Sequence, residues 1–197
     1  RIIEHVTNVN DTLHLPAMQA IAYGGGKMPH AVIEQAMSLM PHVNFTNAYG
    51  LTETSSTICL LDPDDHREAF ESEDPAVRAR LSSVGKPLPA VELEIRDDNN
   101  APCGAGEAGY VFVRGDQVSG EYHGSGSLLD ENGWFPTRDR GYLDDAGYLF
   151  LDGRADDVIV RGGENISPGE IEDVLIEMSD IKDLSLIHIS EPTRPPE

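Results

Sequence analysis

Hydrophobic and polar positions follow two different periods along this chain. Met18-Gln-Ala-Ile-Ala-Tyr23 and Val43-Asn-Phe-Thr46 have the β-branched and aromatic content of strands. Between them Val32, Ile33, Ala36, Met37 and Met40 recur at three- and four-residue steps, and Pro29 suits a first helical position. Strand, helix and strand predict a β-α-β unit over 18–50, the end of a parallel-sheet layer. Leu60 to Arg80 is acidic and broken by Pro63 and Pro75, which predicts a surface loop with a short helix around Ala76 to Leu81. From Val91 the pattern alternates instead. Val91-Glu-Leu-Glu-Ile95, a turn at Asp97-Asp-Asn-Asn100 and Tyr110-Val-Phe-Val113 predict antiparallel, barrel-like strands. Tyr142 to Gly153 predicts a hairpin turning at Asp144-Asp-Ala-Gly147, and Val158-Ile-Val160 a strand turning at Arg161-Gly162-Gly163. Ser167-Pro-Gly-Glu170 reads as a capping box opening a helix that buries Ile171, Val174, Leu175 and Met178. The fold class is α/β.

Composition narrows the partners. The 197 residues carry 14 basic and 35 acidic side chains, a net charge of −21, which repels nucleic acid and anionic lipid surfaces. An anionic ligand would need local compensation from Arg138, Arg140, Arg154 and Arg161, from backbone N–H groups or from Mg²⁺. Cys59 and Cys103 are the only cysteines, without zinc-ligand spacing, so a reducing, cytoplasmic setting is expected. No apolar run reaches the roughly 18–20 residues that span a bilayer, so no transmembrane segment is expected. Arg1 rather than Met at the start predicts a piece of a longer chain.

Candidate chemistry concentrates at Asn47-Ala-Tyr-Gly-Leu-Thr-Glu-Thr54, at the expected C-terminal mouth of a strand, where open α/β sheets bind ligands. Tyr49 could stack on a purine, Gly50 admits close approach, Thr52 can reach a phosphate oxygen and Glu53 can hold a hard cation. The same residues read equally well as a strand-end turn with one buried Tyr and one solvated Glu. Gly24-Gly25-Gly26 leaves bare backbone for a planar ring or carboxylate. Lys27 does not complete a phosphate loop, because Ile21 stands where the first glycine is needed and Met28 follows the lysine. Gly104, Gly106 and Gly109 spell a dinucleotide fingerprint, but a strand rather than a helix follows, and that reading fails.

Gly24 to Gly26, Asn47 to Thr54, Gly133-Trp to Asp139, and Asp152-Gly-Arg-Ala-Asp-Asp-Val-Ile-Val-Arg-Gly-Gly-Glu-Asn-Ile-Ser-Pro-Gly-Glu-Ile-Glu172 together resemble the adenylate-forming superfamily, over about residues 18–183 in order. That family includes acyl-CoA synthetases and peptide-synthetase adenylation domains. The resemblance implies ATP/AMP, Mg²⁺ and coenzyme A as ligands, a fatty or aromatic carboxylic acid as substrate, and an acid–thiol ligase activity. It implies that Tyr49 stacks on adenine, Gly24, Gly25 and Gly26 line the adenine and carboxylate side, and Asn47, Ala48 and Gly50 border the nucleotide. Thr52 and Glu53 are implied as the catalytic pair, with Glu53 on Mg²⁺. Asp139 and Arg154 are implied at the ribose and α-phosphate, Asp156 as hinge, and Gly162 and Gly163 as the thiol-side turn. Ser55, Ser56 and Thr57 are expected toward the acyl group.

On this resemblance 1–155 forms the closing part of a large α/β N-terminal domain, with barrel-like strands from about 84 to 155. Residues 156–185 begin a small, mobile α+β C-terminal domain. Two departures matter. Arg138 stands where the family has a glycine before the ribose-binding Asp139. The family's phosphate loop and catalytic lysine are expected outside these residues, so the 197 residues alone are expected to be inactive. From about Leu186, Ile187-His-Ile-Ser-Glu-Pro-Thr-Arg-Pro195 resembles translated adapter sequence, and 186–197 is read as a non-native tail.

Overall fold

The computed structural model describes residues 3, 15–26, 28–119, 121–122, 126–155, 159–161, 164–166, 168–176, 178, 181 and 184. Strand β1 (Ala20–Gly24), helix α1 (His30–Leu39) and strand β2 (Asn44–Leu51) form the expected β-α-β unit, with β1 and β2 parallel. Pro29 is the residue before the helix, with ψ 135, rather than its first position. On α1 the buried face is Ile33, Ala36 and Met37, continued by Met40, while Val32, expected there too, is exposed. β2 runs on to Leu51, so Tyr49 and Gly50 lie inside the strand rather than beyond its mouth.

The stretch expected to be a loop is ordered. β3 (Ser56–Leu61) returns antiparallel to β2, and α2 (Pro63–Glu71) and the short α3 (Pro75–Ala79) follow. The signal for α2 was present: the Asp62 side chain caps the N–H groups of Asp64 and Asp65, and Pro63 follows it. The acidic first turn, Asp64 and Asp65, also suits the positive end of the helix dipole. Its buried face is only His66 and Ala69, too sparse to register as an apolar stripe.

β4 (Lys86–Pro87) completes a four-stranded sheet in the order β1-β2-β3-β4. A second four-stranded sheet contains β5 (Glu92–Arg96), β6 (Gly109–Arg114), β9 (Phe135–Leu143) and β10 (Leu149–Arg154), all antiparallel. It is open, with β10 and β5 at its edges. Two short pairs accompany it: β7 (Glu121–Tyr122) with β8 (Gly126–Ser127), and β11 (Ile159–Arg161) with β12 (Glu164–Ile166). Helix α4 (Pro168–Ile176) follows, and Ile171, Val174 and Met178, expected to be buried, are exposed. Asp156, Gly162, Gly163, Lys27, Val158, Ser167 and 186–197 lie outside the described residues.

β3 joins the two layers. Ile33, Ala36, Met37, Phe45, Ala69 and Leu81 pack as one core. Ile58 and Cys59 of β3 pack instead with Val91, Ile95, Val111, Val113, Phe135 and Leu149. Each fully buried aliphatic side chain contributes roughly 1.5–3 kcal/mol. The sheets are also stitched through backbone: Val84 N–H donates to Leu149 O and Leu149 N–H to Gly85 O, each at 2.9 Å. Gly85, at φ 83, is required there, since a Cβ would stand 1.9 Å from Leu60 O. The Asn47 amide donates to the buried Ser83 carbonyl at 3.1 Å, tying β2 to the same seam.

Candidate functional site

Irregularities in the sheets build a cleft between the two layers. Between β6 and β9 the register passes from Tyr110↔Arg140 to Phe112↔Pro136, so β9 advances further than its partner. Between β9 and β10 it passes from Gly141↔Leu151 to Arg140↔Gly153, with the slack on β10. Both shifts fall beside Asp139, and bulges of this kind re-aim side chains. The extra length of β9 is accommodated by Arg138 at φ 65, a left-handed conformation that costs a residue with a Cβ about 1–2 kcal/mol. Thr137 Oγ1 donates to Val111 O at 2.9 Å and accepts from Asp139 N–H at 3.1 Å, which fixes the bulge.

Asp139 is thereby buried in a cleft of about 590 Å³ whose lining also includes Gly25, Gly26, Asn47, Ala48, Tyr49, Gly50 and Arg154. The Tyr49 hydroxyl donates to Asp139 Oδ2 at 2.5 Å, and Arg154 Nε stands 3.6 Å from Oδ1. Burial raises the Asp139 carboxyl above its ordinary value, against the opposing pull of the Tyr49 hydroxyl and the Arg154 charge. Burial and the neighbouring carboxylate push the Tyr49 phenol well above its usual range, so the proton stays on the phenol. Each carboxylate oxygen has two lone pairs, so Asp139 retains acceptor capacity for paired hydroxyls.

The three glycines separate into different tasks. Gly24 is taken up by strand pairing, since a Cβ would meet Ala48 O at 2.2 Å. Gly25 turns at φ 75 and Gly26 faces open space in the cleft. Gly50 also has a packing reason: a Cβ there would lie 1.6 Å from Ser56 O. Gly109 of the rejected fingerprint packs likewise, with Arg96 O 2.4 Å from a Cβ.

Thr52 and Glu53 stand in a 3-10 turn, Thr52–Thr54, just past β2. Thr52 is exposed, and Glu53 lines a smaller adjoining pocket of about 250 Å³ together with Thr137, Arg138 and Arg154. Leu51 and Arg154 border both spaces. Thr54 is fully buried, accepting from Leu51 N–H at 2.9 Å and lying 2.9 and 3.0 Å from the Leu51 and Ser56 carbonyls. Ser55 and Ser56 follow at φ 54 and φ 103. Ser55 Oγ donates to the Gln117 carbonyl at 2.9 Å rather than facing the cleft.

Several wall residues were not named as site residues from the sequence. Met28, Leu81, Ser82, Val84 and Leu151 line the cleft because the fold brings distant segments there, and Asp152, Gly153, Pro168 and Glu172 join them from the Asp152–Glu172 motif without a role of their own having been assigned. Among the described residues no group of three or more His, Cys, Asp or Glu suits a metal ion, and no helix is long and apolar enough to cross a membrane.

Residues 1–123 match the family described as AMP-binding enzyme. The 2-succinylbenzoate–CoA ligase of Oceanobacillus iheyensis is 37% identical over 163 residues, covering 81% of this chain and 31% of that protein. Its Bacillus subtilis counterpart is 36% identical over the same shares. The chain thus spans about a third of the length of these curated relatives. Among solved structures, the amide bond synthetase McbA of Marinactinospora thermotolerans superposes with a TM-score of 0.78 at 29% identity, covering 97% of this chain and 37% of that one. The o-succinylbenzoate CoA synthetase MenE of Bacillus subtilis, in complex with its acyl-adenylate OSB-AMP, gives 0.76 at 29% identity with the same coverage. The chain belongs to the AMP-binding enzymes of the adenylate-forming superfamily.

Proposed function

We propose that the chain carries the nucleotide- and metal-holding part of an ATP-dependent carboxylate:CoA ligase. The observation that supports this best is the meeting of Tyr49, Asp139 and Arg154, distant in sequence, on one cleft with the bare backbone of Gly25 and Gly26. Adenine lies against Tyr49 and the glycines, the ribose hydroxyls bond Asp139, and Arg154 faces ribose or α-phosphate. A carboxylate oxygen of the acid attacks the α-phosphorus, and the bond to the β-phosphate breaks as pyrophosphate leaves. The thiol of coenzyme A then attacks the acyl carbonyl of the mixed anhydride, and AMP departs. Nucleophile and target are both anionic, so the residues' work is positioning and charge compensation. Thr52 contacts phosphate, and Glu53 holds Mg²⁺, which when bound neutralises phosphate charge.

The acid is aromatic rather than fatty on this reading, because the relatives above are named for 2-succinylbenzoate. The two-domain division, with 1–155 in the large domain, Asp156 as hinge, 156–185 opening the mobile domain and Gly162-Gly163 on the thiol side, is part of the same proposal, as is a cytoplasmic location.

A second reading has its own support in the likeness to McbA: the acceptor is an amine and the product an amide. Loading of a carrier protein, and a nucleotide-binding pseudoenzyme, are the further alternatives. Titration calorimetry of the 197-residue chain with AMP tests the site, and pyrophosphate release is expected only from the complete parent protein. In that protein, exchanging coenzyme A for an amine or a carrier protein identifies the acceptor. Absence of acid-dependent pyrophosphate exchange in the parent would leave the pseudoenzyme reading.

A further inference from the structure

The turn bearing Thr52 and Glu53 is closed from within by Thr54 Oγ1, which bonds Leu51 and Ser56 backbone, but it is also gripped from outside. It contains Ser55 at φ 54 and Ser56 at φ 103, conformations that persist only when the surroundings impose them. Besides Thr54 and the β2–β3 pairing, the surroundings include one loop, 115–119, about sixty residues away. Gln117 Nε2 donates to Thr57 O at 2.7 Å and to Thr54 O at 3.1 Å, one amide group spanning both sides of the turn. The Gln117 carbonyl accepts from Ser55 Oγ at 2.9 Å. Ser119 N–H donates to the Glu53 carbonyl at 3.0 Å, and Ser119 Oγ lies 3.3 Å from the same oxygen. The loop is a firm base for this grip. Val118 is buried in the core shared by both sheets, and Gly115 passes so close to Ala90 that a Cβ would lie 2.5 Å from its carbonyl.

We infer that Gln117 is a positioning residue: it clamps the Thr52–Thr57 turn and thereby fixes where the Glu53 carboxylate stands toward metal and phosphates. This rests on the reading of the cleft as an ATP- and metal-holding site. Gln117 touches no ligand in that arrangement; it acts through the backbone of the turn. Its loss should therefore affect the metal-dependent part of nucleotide binding and spare the adenosine part, which Tyr49 and Asp139 hold from other strands.

The test compares the wild-type chain with Gln117→Met, which keeps the length and removes both donors, and with Gln117→Glu, which sets oxygens against the two carbonyls. Hydrogen exchange is expected to quicken about tenfold or more at amides of 52–57 while β5, β6, β9 and β10 keep their protection. By calorimetry Mg·ATP should bind about tenfold more weakly and AMP within about twofold of wild type, with Gln117→Glu the more affected. Ser119→Ala, which leaves Gln117 in place, should shift both readouts in the same direction by less. Unchanged exchange at 52–57, equal losses for AMP and Mg·ATP, or protection lost across both sheets at once would each overturn the positioning role. A wild type that binds Mg·ATP alongside an unaffected Gln117→Met removes this inference alone, whereas a wild type that binds neither ligand removes the reading of the site with it.

Discussion

The Tyr49 hydroxyl and Asp139 Oδ2 stand 2.5 Å apart across a gap of 90 residues, joining the mixed sheet to the antiparallel one at the floor of the cleft. The bond holds a carboxylate in a place that disfavours its charge. Burial raises the Asp139 pKa from 3.8, so between that value and the raised one the folded chain binds more protons than the unfolded. Stability from this group therefore declines as pH rises through that window, and above it the buried carboxylate is a net cost.

Asp139→Asn removes the charge and keeps an acceptor for Tyr49. Its thermal midpoint at pH 7 should exceed wild type, and the excess should shrink toward pH 4. Affinity for AMP should fall, because hydroxyl bonds to a charged acceptor contribute about 1.5–3 kcal/mol. Melting curves at several pH values and AMP calorimetry check both halves. A variant that melts lower and binds AMP as well as wild type would assign Asp139 to structure alone.

His66 supplies the opposite pH dependence. It is fully buried, with Nδ1 2.7 Å from the Asp62 carbonyl and Nε2 2.8 Å from the Tyr23 hydroxyl. A carbonyl only accepts, so Nδ1 carries the proton and Nε2 accepts from Tyr23. Burial lowers the His66 pKa from 6.5, despite the Asp62 carbonyl bond and the nearby carboxylates of Asp65 and Asp62. Below that value the unfolded chain takes up a proton that the folded chain refuses. The contribution is intact above pH 6.5 and is lost as pH falls toward the folded pKa, by at most ~1.4 kcal/mol per pH unit. Urea midpoints should drop between neutral pH and pH 5.5, and Tyr23→Phe, which orphans Nε2, should cost about 1–3 kcal/mol throughout.

Local chemistry made the β-α-β unit, the Asp97–Asn100 turn and the Asp144–Gly147 hairpin legible, because each rests on residues next to one another. Gly24 to Gly26 and Asn47 to Thr54 were singled out by their own chemistry and, like Asp139 and Arg154, were given roles through a resemblance of motifs, and the structure brings Gly25, Gly26, Asn47 to Gly50, Asp139 and Arg154 to one cleft. What stayed hidden is what depends on distance. Gln117 reaches a turn 60 residues earlier, and Gly24 and Gly50 are glycines because opposing backbone leaves no room. The apolar residues of α4 gave a buried stripe by period alone, yet Val174 is 68% exposed, since periodicity marks a face without saying what covers it.

Arg138 departs from the glycine that the family's motif has at this place, and its backbone shows what glycine would do there. At φ 65 the Cβ is the strained element, not the guanidinium. Arg138→Gly should be more stable than Arg138→Ala by about 1 kcal/mol, since both lose the side chain but only one loses the Cβ. Denaturant titrations of the two variants measure it directly. Equal midpoints would mean that the bulge relaxes around a Cβ without strain.

Glycines 26 and 50 separate a ligand's need for bare backbone from the fold's need. A Cβ at Gly50 would lie 1.6 Å from the Ser56 carbonyl, a backbone atom held in the β2–β3 ladder, so Gly50→Ala should destabilise by about 3 kcal/mol or more. A Cβ at Gly26 meets nothing within 4 Å, and Gly26→Ala should stay within about 0.5 kcal/mol of wild type. Because Gly26→Ala leaves the fold intact, its effect on nucleotide binding is clean. A methyl group on that wall should weaken AMP several-fold if the adenine or carboxylate side passes against it. Unaltered AMP affinity in a stable Gly26→Ala chain would place the nucleotide against other parts of the cleft, and leave Tyr49, Ala48 and Asp139 as the wall that holds it.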